Sequence, residues 1–502
     1  MCLASLLIAV ELVALARQAQ PVTAVSDTAV IESYTAYASQ GAQLVGPYSR
    51  YGWHHPGPLY FYLLAPFYSL SGSLTTGLNA GALAINLASV LLMAWVMVRA
   101  GSGVLAIVTM ALVALYAWRV APMLASPWNP HVIVLPTMAL IVVCAAVLSG
   151  RAGLLPLVAM IATFVGQTHV GVLPSVLVVS ALTSGVVLTA AISEADQDRR
   201  RRLIRILWVT LGVLVVLWAV PIWEQISRRP GNVTRLWDFF VGRGGVGQPF
   251  RSAYAAWTDM LAGVARPDLR LAEGSAFRRS RIPWAEGWAG AQVALLAVTA
   301  ILAARAGRRF GAALSALIVV AGVTALWSAT RIEDMIIDHE VFWVSGFGVL
   351  GTAVLLDAAM AAGGERRGRA SPRVTAILCG LAVSLVAIAG VRELRVAATR
   401  TFAPRPQQVA AAALAESLKQ RLPGSAGRPL VRIEQDVWPV AVGVLLNLQK
   451  ANVPFAVEDD WLPMFSEISA ATGRETTVIE ITGRERHFLL TSGGGGVTLG
   501  EA

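Results

Sequence analysis

Residues 132–192 read VIVLPTMALIVVCAAVLSGRAGLLPLVAMIATFVGQTHVGVLPSVLVVSALTSGVVLTAAI, and Arg151 is the one charged side chain among them. Three apolar runs, 132–149, 153–167 and 170–192, are joined there by short turns. Runs this long and apolar are membrane helices, because in lipid each segment must satisfy its own backbone N–H and C=O groups. Working outward, comparable runs lie near 2–17, 77–98, 103–119, 204–224, 288–305, 310–328, 342–361 and 374–391. The chain therefore reads as a polytopic α-helical membrane protein with about eleven transmembrane helices. Composition agrees: 56% of the 502 residues are hydrophobic and 14% charged, whereas soluble domains carry about 25% charged residues.

The net charge of +10 would suggest nucleic acid in a soluble protein. Here the basic residues cluster in short loops between spans: Arg99, Arg151, Arg199 to Arg202 with Arg205, Arg305/Arg308/Arg309 and Arg366/Arg367/Arg369. That is the positive-inside pattern of a multi-pass protein of the cytoplasmic membrane, and it excludes a nucleic-acid partner. Cys2, Cys144 and Cys379 are scattered and imply neither a disulfide framework nor a zinc site. The opening MCLASLLIAVELVALARQAQP lacks a basic n-region and reads as a first membrane helix, whose true start can lie upstream, rather than as a signal peptide. Glu11, inside that first span, has no assigned role.

With the Arg loops inside, three segments lie outside: 18–76, 225–287 and the tail from 392 onward. Residues 1–391 form the membrane domain and 392–502 an extracytoplasmic α/β domain. In the tail, helix-like PQQVAAAALAESLKQRL (406–422) alternates with strand-like PLVRIE, PFAVED, TTVIEIT and HFLLTS. Gly493 to Gly496 reads as a flexible end, since no following Lys marks a phosphate loop. Within the first loop, PGPLYFYLLAPFYSLSG (56–72) carries two interior prolines and reads as an interfacial helix along the outer leaflet.

Candidate chemistry sits in the outer segments. Asp27 and Glu32 follow the first span, where water makes carboxylates tolerable. Asp27 suits a helix N-cap, a general base or a metal-holding carboxylate. The stretch GPYSRYGWHHPGPLYFY then packs Arg50, Tyr51, Trp53, His54 and His55 into six residues. Guanidinium, phenol and imidazole can bind phosphate, and the same composition also suits an interfacial anchor. His54, His55, His131, His169 and His339 all fall at outer helix ends or loops, without HxxxH or HExxH metal spacing. Asn129 and His131 in the turn SPWNPH, with His169, Arg228 and Arg331, are candidates to line a substrate cavity, and SPWNPH equally suits a plain Pro-rich helix–helix turn. Arg228 and Arg331 run against the positive-inside bias, which points to an anionic ligand.

In order and type these features resemble the GT-C superfamily of polyprenyl-phosphate-sugar-dependent membrane glycosyltransferases, which includes protein mannosyltransferases and the aminoarabinose transferase. Those enzymes carry an acidic motif just after the first helix, then Arg-Tyr and a basic residue before a proline-led aromatic helix. Here the motif is Asp27-Thr28 with Glu32 downstream, followed by Arg50-Tyr51-Gly52-Trp53-His54-His55-Pro56. Thr28 replaces the family's second acid, and His54 or His55 stands where Lys is common. The resemblance spans the plan of residues 1–391, with its specific part in the first loop.

It implies Asp27 as catalytic residue with Glu32 as acidic support, and Arg50, Tyr51, His54 and His55 on the donor phosphate. It implies inverting transfer from a polyprenyl-phosphate sugar to a hydroxyl of an envelope glycan, lipid or protein, with membrane lipid as a further partner. The resemblance fixes no cofactor and leaves a divalent metal open. Two other classes share the topology: a lipid or glycan flippase, and a non-catalytic assembly subunit that kept the fold. No internal repeat of the transporter kind is visible.

The loop charges generate a topology prediction. A cysteine replacing Arg200 should react with an impermeant thiol reagent only after permeabilisation, and labelling in intact cells would invert the orientation.

Overall fold

A computed structural model describes residues 23–242 apart from 102, then 247–263, 265, 283–365, 405–422, 427–465, 467–484, 487–492 and 495–501, with Val10 and scattered positions between 377 and 395. The first and last apolar runs, 2–17 and 374–391, lie wholly or mostly outside the described residues. The other nine coincide with helices: α3 (Thr75–Ala100), α4 (Gly103–Arg119), α5 (Val134–Leu148), α6 (Leu155–Thr168), α7 (Leu173–Ser193), α8 (Gln197–Ser227), α11 (Pro283–Arg305), α12 (Arg309–Ala329) and α13 (Ser345–Glu365). Among the described residues, seven helices are long and apolar enough to cross a membrane, and α4 and α6 belong to shorter apolar helices. This is a polytopic α-helical membrane protein with a small α/β domain near its C-terminus.

The chain divides into two compact units. One comprises residues 82–399 with 1–14. The other joins residues 15–81 to residues 400–502. The boundary expected at residue 392 therefore differs from the observed grouping: the first loop belongs with the tail.

In the helical unit, α5 is central. The span Asn129–Leu148 that contains it is almost wholly buried, whereas α8 is mostly exposed and presents Trp208, Val215, Val216, Trp223 and Ile226 outward. Such an apolar outer face suits lipid, not water. Small residues let the inner helices approach closely. A Cβ on Gly346 would meet Met138, and one on Gly351 would meet Gln292. Buried polar groups tie helices through hydrogen bonds: Gln292 to the Gly348 carbonyl at 3.0 Å, Trp257 to that of Gly322 at 2.8 Å, and Tyr116 to Ser345 at 2.6 Å.

The basic turns near Arg99, Arg151 and Arg308 are tied to neighbouring helices of this unit. Arg151 donates to the Arg99 carbonyl, the Phe310 ring lies against Gly101, and Arg308 pairs with the buried Asp357. The segment 225–287, expected as an outer loop, holds α9 (Asn232–Trp237) and α10 (Phe250–Leu261). The second is buried from Ala255 to Leu261 and packs against α11, α12 and α13, so it is part of the helical core.

The other unit contains α1 (Ser26–Ser39), α2 (Leu59–Leu70), α14 (Pro406–Arg421) and α15 (Trp438–Lys450). Its sheet comprises β1 (Leu430–Ile433), β2 (Ala456–Val457), β3 (Val478–Arg484), β4 (His487–Ser492) and β5 (Gly495–Glu501), in the order β2-β1-β3-β4-β5. The first three are parallel and the last three antiparallel. The expected flexible Gly end is thus corrected in part: from Gly495 the chain pairs with β4 as a hairpin strand. Helix α2 occupies the stretch read as interfacial, tolerates Pro66, and buries Tyr60, Phe61, Leu64 and Tyr68 while packing on α1.

The close approach of α10 to α13 is testable. A Cβ on Gly348 would stand 2.0 Å from the Leu261 carbonyl oxygen. Gly348→Ala should therefore destabilise the protein by about 1–3 kcal/mol, read as a lower Tm in detergent. An unchanged Tm would mean that these two helices do not touch there.

Candidate active site

Residues 47–55 fold into a tight hairpin. Ser49 N–H donates to the Trp53 carbonyl at 2.9 Å, and His55 N–H to that of Pro47 at 2.8 Å. Gly52 sits at φ +80°, a region that favours glycine. The turn carries Arg50 at its exposed tip, where it donates to the Tyr51 hydroxyl at 2.8 Å and lies 4.9 Å from that ring's centroid. Tyr51 stacks on Trp53 at 6.5 Å, and Trp53 meets His55 edge-on at 5.5 Å. The crowding read in the sequence is therefore an ordered Arg–Tyr–Trp–His ladder.

The two carboxylates have opposite environments. Asp27 is not the N-cap, which is Val25; it stands in the first turn of α1, where the helix end favours a negative charge. It is half-buried, and Tyr48 donates its hydroxyl to Oδ1. Among the described residues no partner engages Oδ2. Burial pushes the Asp27 carboxyl above the usual range, opposed by the Tyr48 hydrogen bond. Tyr48 is itself pushed far up by burial and by Asp27, so it stays a proton donor.

Glu32 is fully buried. Lys450 forms an ion pair with Oε1, Tyr68 donates to Oε1 at 3.4 Å, and Thr75 donates to Oε2 at 2.6 Å. With both oxygens engaged, Glu32 holds structure together rather than facing a reactant.

His54 Nε2 lies 3.0 Å from the Pro463 carbonyl. A carbonyl only accepts, so Nε2 carries the proton. Tyr34 donates to the same oxygen at 2.6 Å. This geometry commits Nε2 to a backbone carbonyl rather than to a phosphate.

The remaining candidates belong to the helical unit. Asn129 donates to the Thr168 carbonyl at 3.2 Å, a helix-to-helix tie. His131 Nδ1 meets Ser126 at 2.8 Å, and Trp128 packs on both His131 and His339, at 4.8 and 4.7 Å. His169 accepts from Gly171 N–H and lies within electrostatic reach of His339. Three histidines from separate turns thus converge. Arg228 caps the end of α8, and Arg331 donates to the Phe240 carbonyl at 3.1 Å. Among the described residues no group of three or more His, Cys, Asp or Glu can hold a metal.

Sequence reasoning passed over Tyr48, Tyr68, Thr75, Lys450 and Pro463. Tyr48 lies inside the quoted motif and had a signal, a phenol two residues before Arg50. Lys450 had none, since no local pattern links it to residue 32.

No protein-family model and no curated protein sequence matches the chain. The fold does match solved structures. ArnT from Cupriavidus metallidurans in the apo state aligns with a TM-score of 0.53 and 13% identity, over 95% of this chain and 92% of that one. The same protein bound to undecaprenyl phosphate aligns with a TM-score of 0.52 and 14% identity, over the same shares. At this identity the likeness concerns the fold, and it agrees with the architecture that the GT-C resemblance implies.

Asp27's raised pKa carries a sign. The folded state holds its proton more tightly than the unfolded chain, so stability falls as pH rises from the ordinary carboxylate range through the folded pKa. Asp27→Asn removes that penalty and leaves an oxygen for Tyr48. Its Tm should exceed the parent's at neutral pH, and the gap should close as pH drops below the ordinary carboxylate range. A gap independent of pH would contradict the elevated pKa.

Proposed function

We propose that the protein is an inverting membrane glycosyltransferase that moves a sugar from a polyprenyl-phosphate donor to an acceptor hydroxyl at the outer face of the cytoplasmic membrane. One observation carries this reading: Asp27 is a half-buried carboxylate with one oxygen pinned by Tyr48 and the other unpartnered among the described residues. That is what a general base requires: a fixed orientation, an available lone pair and a pKa lifted towards the working pH. The ArnT fold supports the reading, and a polyprenyl phosphate is the ligand that the second ArnT structure holds.

Asp27 Oδ2 accepts the proton of the acceptor hydroxyl while the acceptor oxygen attacks the anomeric carbon from the side opposite the phosphate. The new glycosidic C–O bond forms as the bond from the anomeric carbon to the phosphate oxygen breaks. The electron pair leaves with the polyprenyl phosphate. Arg50, at the hairpin tip, supplies positive charge to that departing group, with Tyr51 and the imidazoles of His54 and His55 beside it. Tyr48 keeps the carboxylate aimed and does not compete for the proton. Glu32 acts through the fold, consistent with its closed set of partners.

Membranes containing the protein, given a labelled polyprenyl-phosphate sugar, should yield a product heavier by one sugar residue. Asp27→Asn, expressed at the parent's level, should lower the rate by about 10²–10⁴-fold while keeping the Tm gain described above. Full complementation of a deletion strain by Asp27→Asn would instead favour a non-catalytic assembly subunit.

A further inference from the structure

The C-terminal domain runs along α1 for most of its length. A Cβ on Gly443 would stand 2.7 Å from the Ala24 carbonyl, so α15 approaches the start of α1 at van der Waals distance. Ser33 donates to Gln449 at 2.5 Å. Lys450, in the last turn of α15, pairs with Glu32 and lies 5.9 Å from the Tyr68 ring centroid. Pro463 receives Tyr34 and His54. The same helix carries Asp27 five residues before Glu32, so a shift of Glu32 moves the carboxylate with it.

We propose that Lys450 is a positioning residue of the transfer reaction, which holds α1 in register by neutralising the buried charge of Glu32. This rests on the reading of Asp27 as the general base. Without Lys450, Glu32 would be a carboxylate with no exposed surface and no counter-charge among the described residues, satisfied only by two hydroxyls. A buried charge in that state forces the structure to admit water or move. The element that bears the unpaired charge is α1, and its displacement breaks the Tyr48–Asp27 alignment. The C-terminal domain thereby becomes part of the catalytic apparatus, though it supplies no group that touches substrate.

The test uses the full chain in lipid nanodiscs, as parent, Lys450→Met, Lys450→Arg and the double variant Glu32→Gln/Lys450→Met. Two quantities are read: hydrogen exchange across residues 26–39 and 430–450, and kcat and KM for a polyprenyl-phosphate sugar. Lys450→Met should speed exchange in 26–39 by about tenfold or more, with β1 and α15 unchanged. Its kcat should fall about 10²-fold while the donor KM stays within about threefold. The double variant removes the unpaired charge, keeps the Thr75 and Tyr68 contacts, and should return kcat to within about threefold of the parent. Lys450→Arg should resemble the parent in both readouts.

Parental exchange in 26–39 of Lys450→Met would overturn the proposal. So would a uniform rise across the whole C-terminal domain, which marks a role in stability alone, or a kcat loss that the double variant does not recover. If the parent itself transfers no sugar, the glycosyltransferase reading fails, and the proposed role in transfer falls with it. The exchange pattern then decides separately whether Lys450 holds α1.

Discussion

A single buried charge organises the unit that carries the candidate site. Glu32 has no exposed surface, and its carboxylate closes on Lys450, Tyr68 and Thr75. Leaving such a group unpaired in a protein interior costs about 3–5 kcal/mol, a large part of the stability of a domain. The partners come from α2, from the start of α3 and from the far end of α15. Satisfying one side chain therefore fastens the first loop to the tail. The hydroxyl, amide and carbonyl contacts at Ser33, Tyr34 and His54 extend that seam.

The helical unit is held on a different principle. In an apolar surrounding, burying Leu or Val gives little preference for protein over lipid, so packing and interhelical hydrogen bonds decide the arrangement. Glycines at 346, 348 and 351 let α13 approach Met138, Leu261 and Gln292. Gln167, Ser175, Trp257 and Gln292 each donate to a backbone carbonyl of another helix. Each such bond is modest, about 0.6 kcal/mol in comparable bundles. Together they fix which faces of nearly uniform apolar helices point inward.

Asp27 and Glu32 illustrate how surroundings divide roles between like residues. Both are acids on α1, five positions apart. One faces a single phenol through one oxygen, and the other is enclosed by a cation and two hydroxyls. The second has both oxygens engaged, while burial, opposed by one phenol, leaves the first with a raised pKa. The hairpin beside them supplies the phenol of Tyr48 and, at its tip, the guanidinium of Arg50.

What the amino-acid sequence determined by itself is whatever rests on local composition and period: the apolar runs, the basic loops, the α/β tail and the crowded motif from Arg50 to His55. Nine of those runs are helices, because a long apolar segment in lipid has few backbone options besides a helix. Strands β1 to β4 fall where short β-branched runs lie between turn residues. The buried helix α10 escaped notice because its short, mixed run Phe250–Leu261 has too few apolar residues to span. The partnership of the first loop with the tail, the pairing of Glu32 with Lys450 and the commitment of His54 to Pro463 were decided only by the tertiary structure. Each joins residues hundreds of positions apart, and neither spacing nor periodicity encodes which distant side chain will neutralise a buried charge.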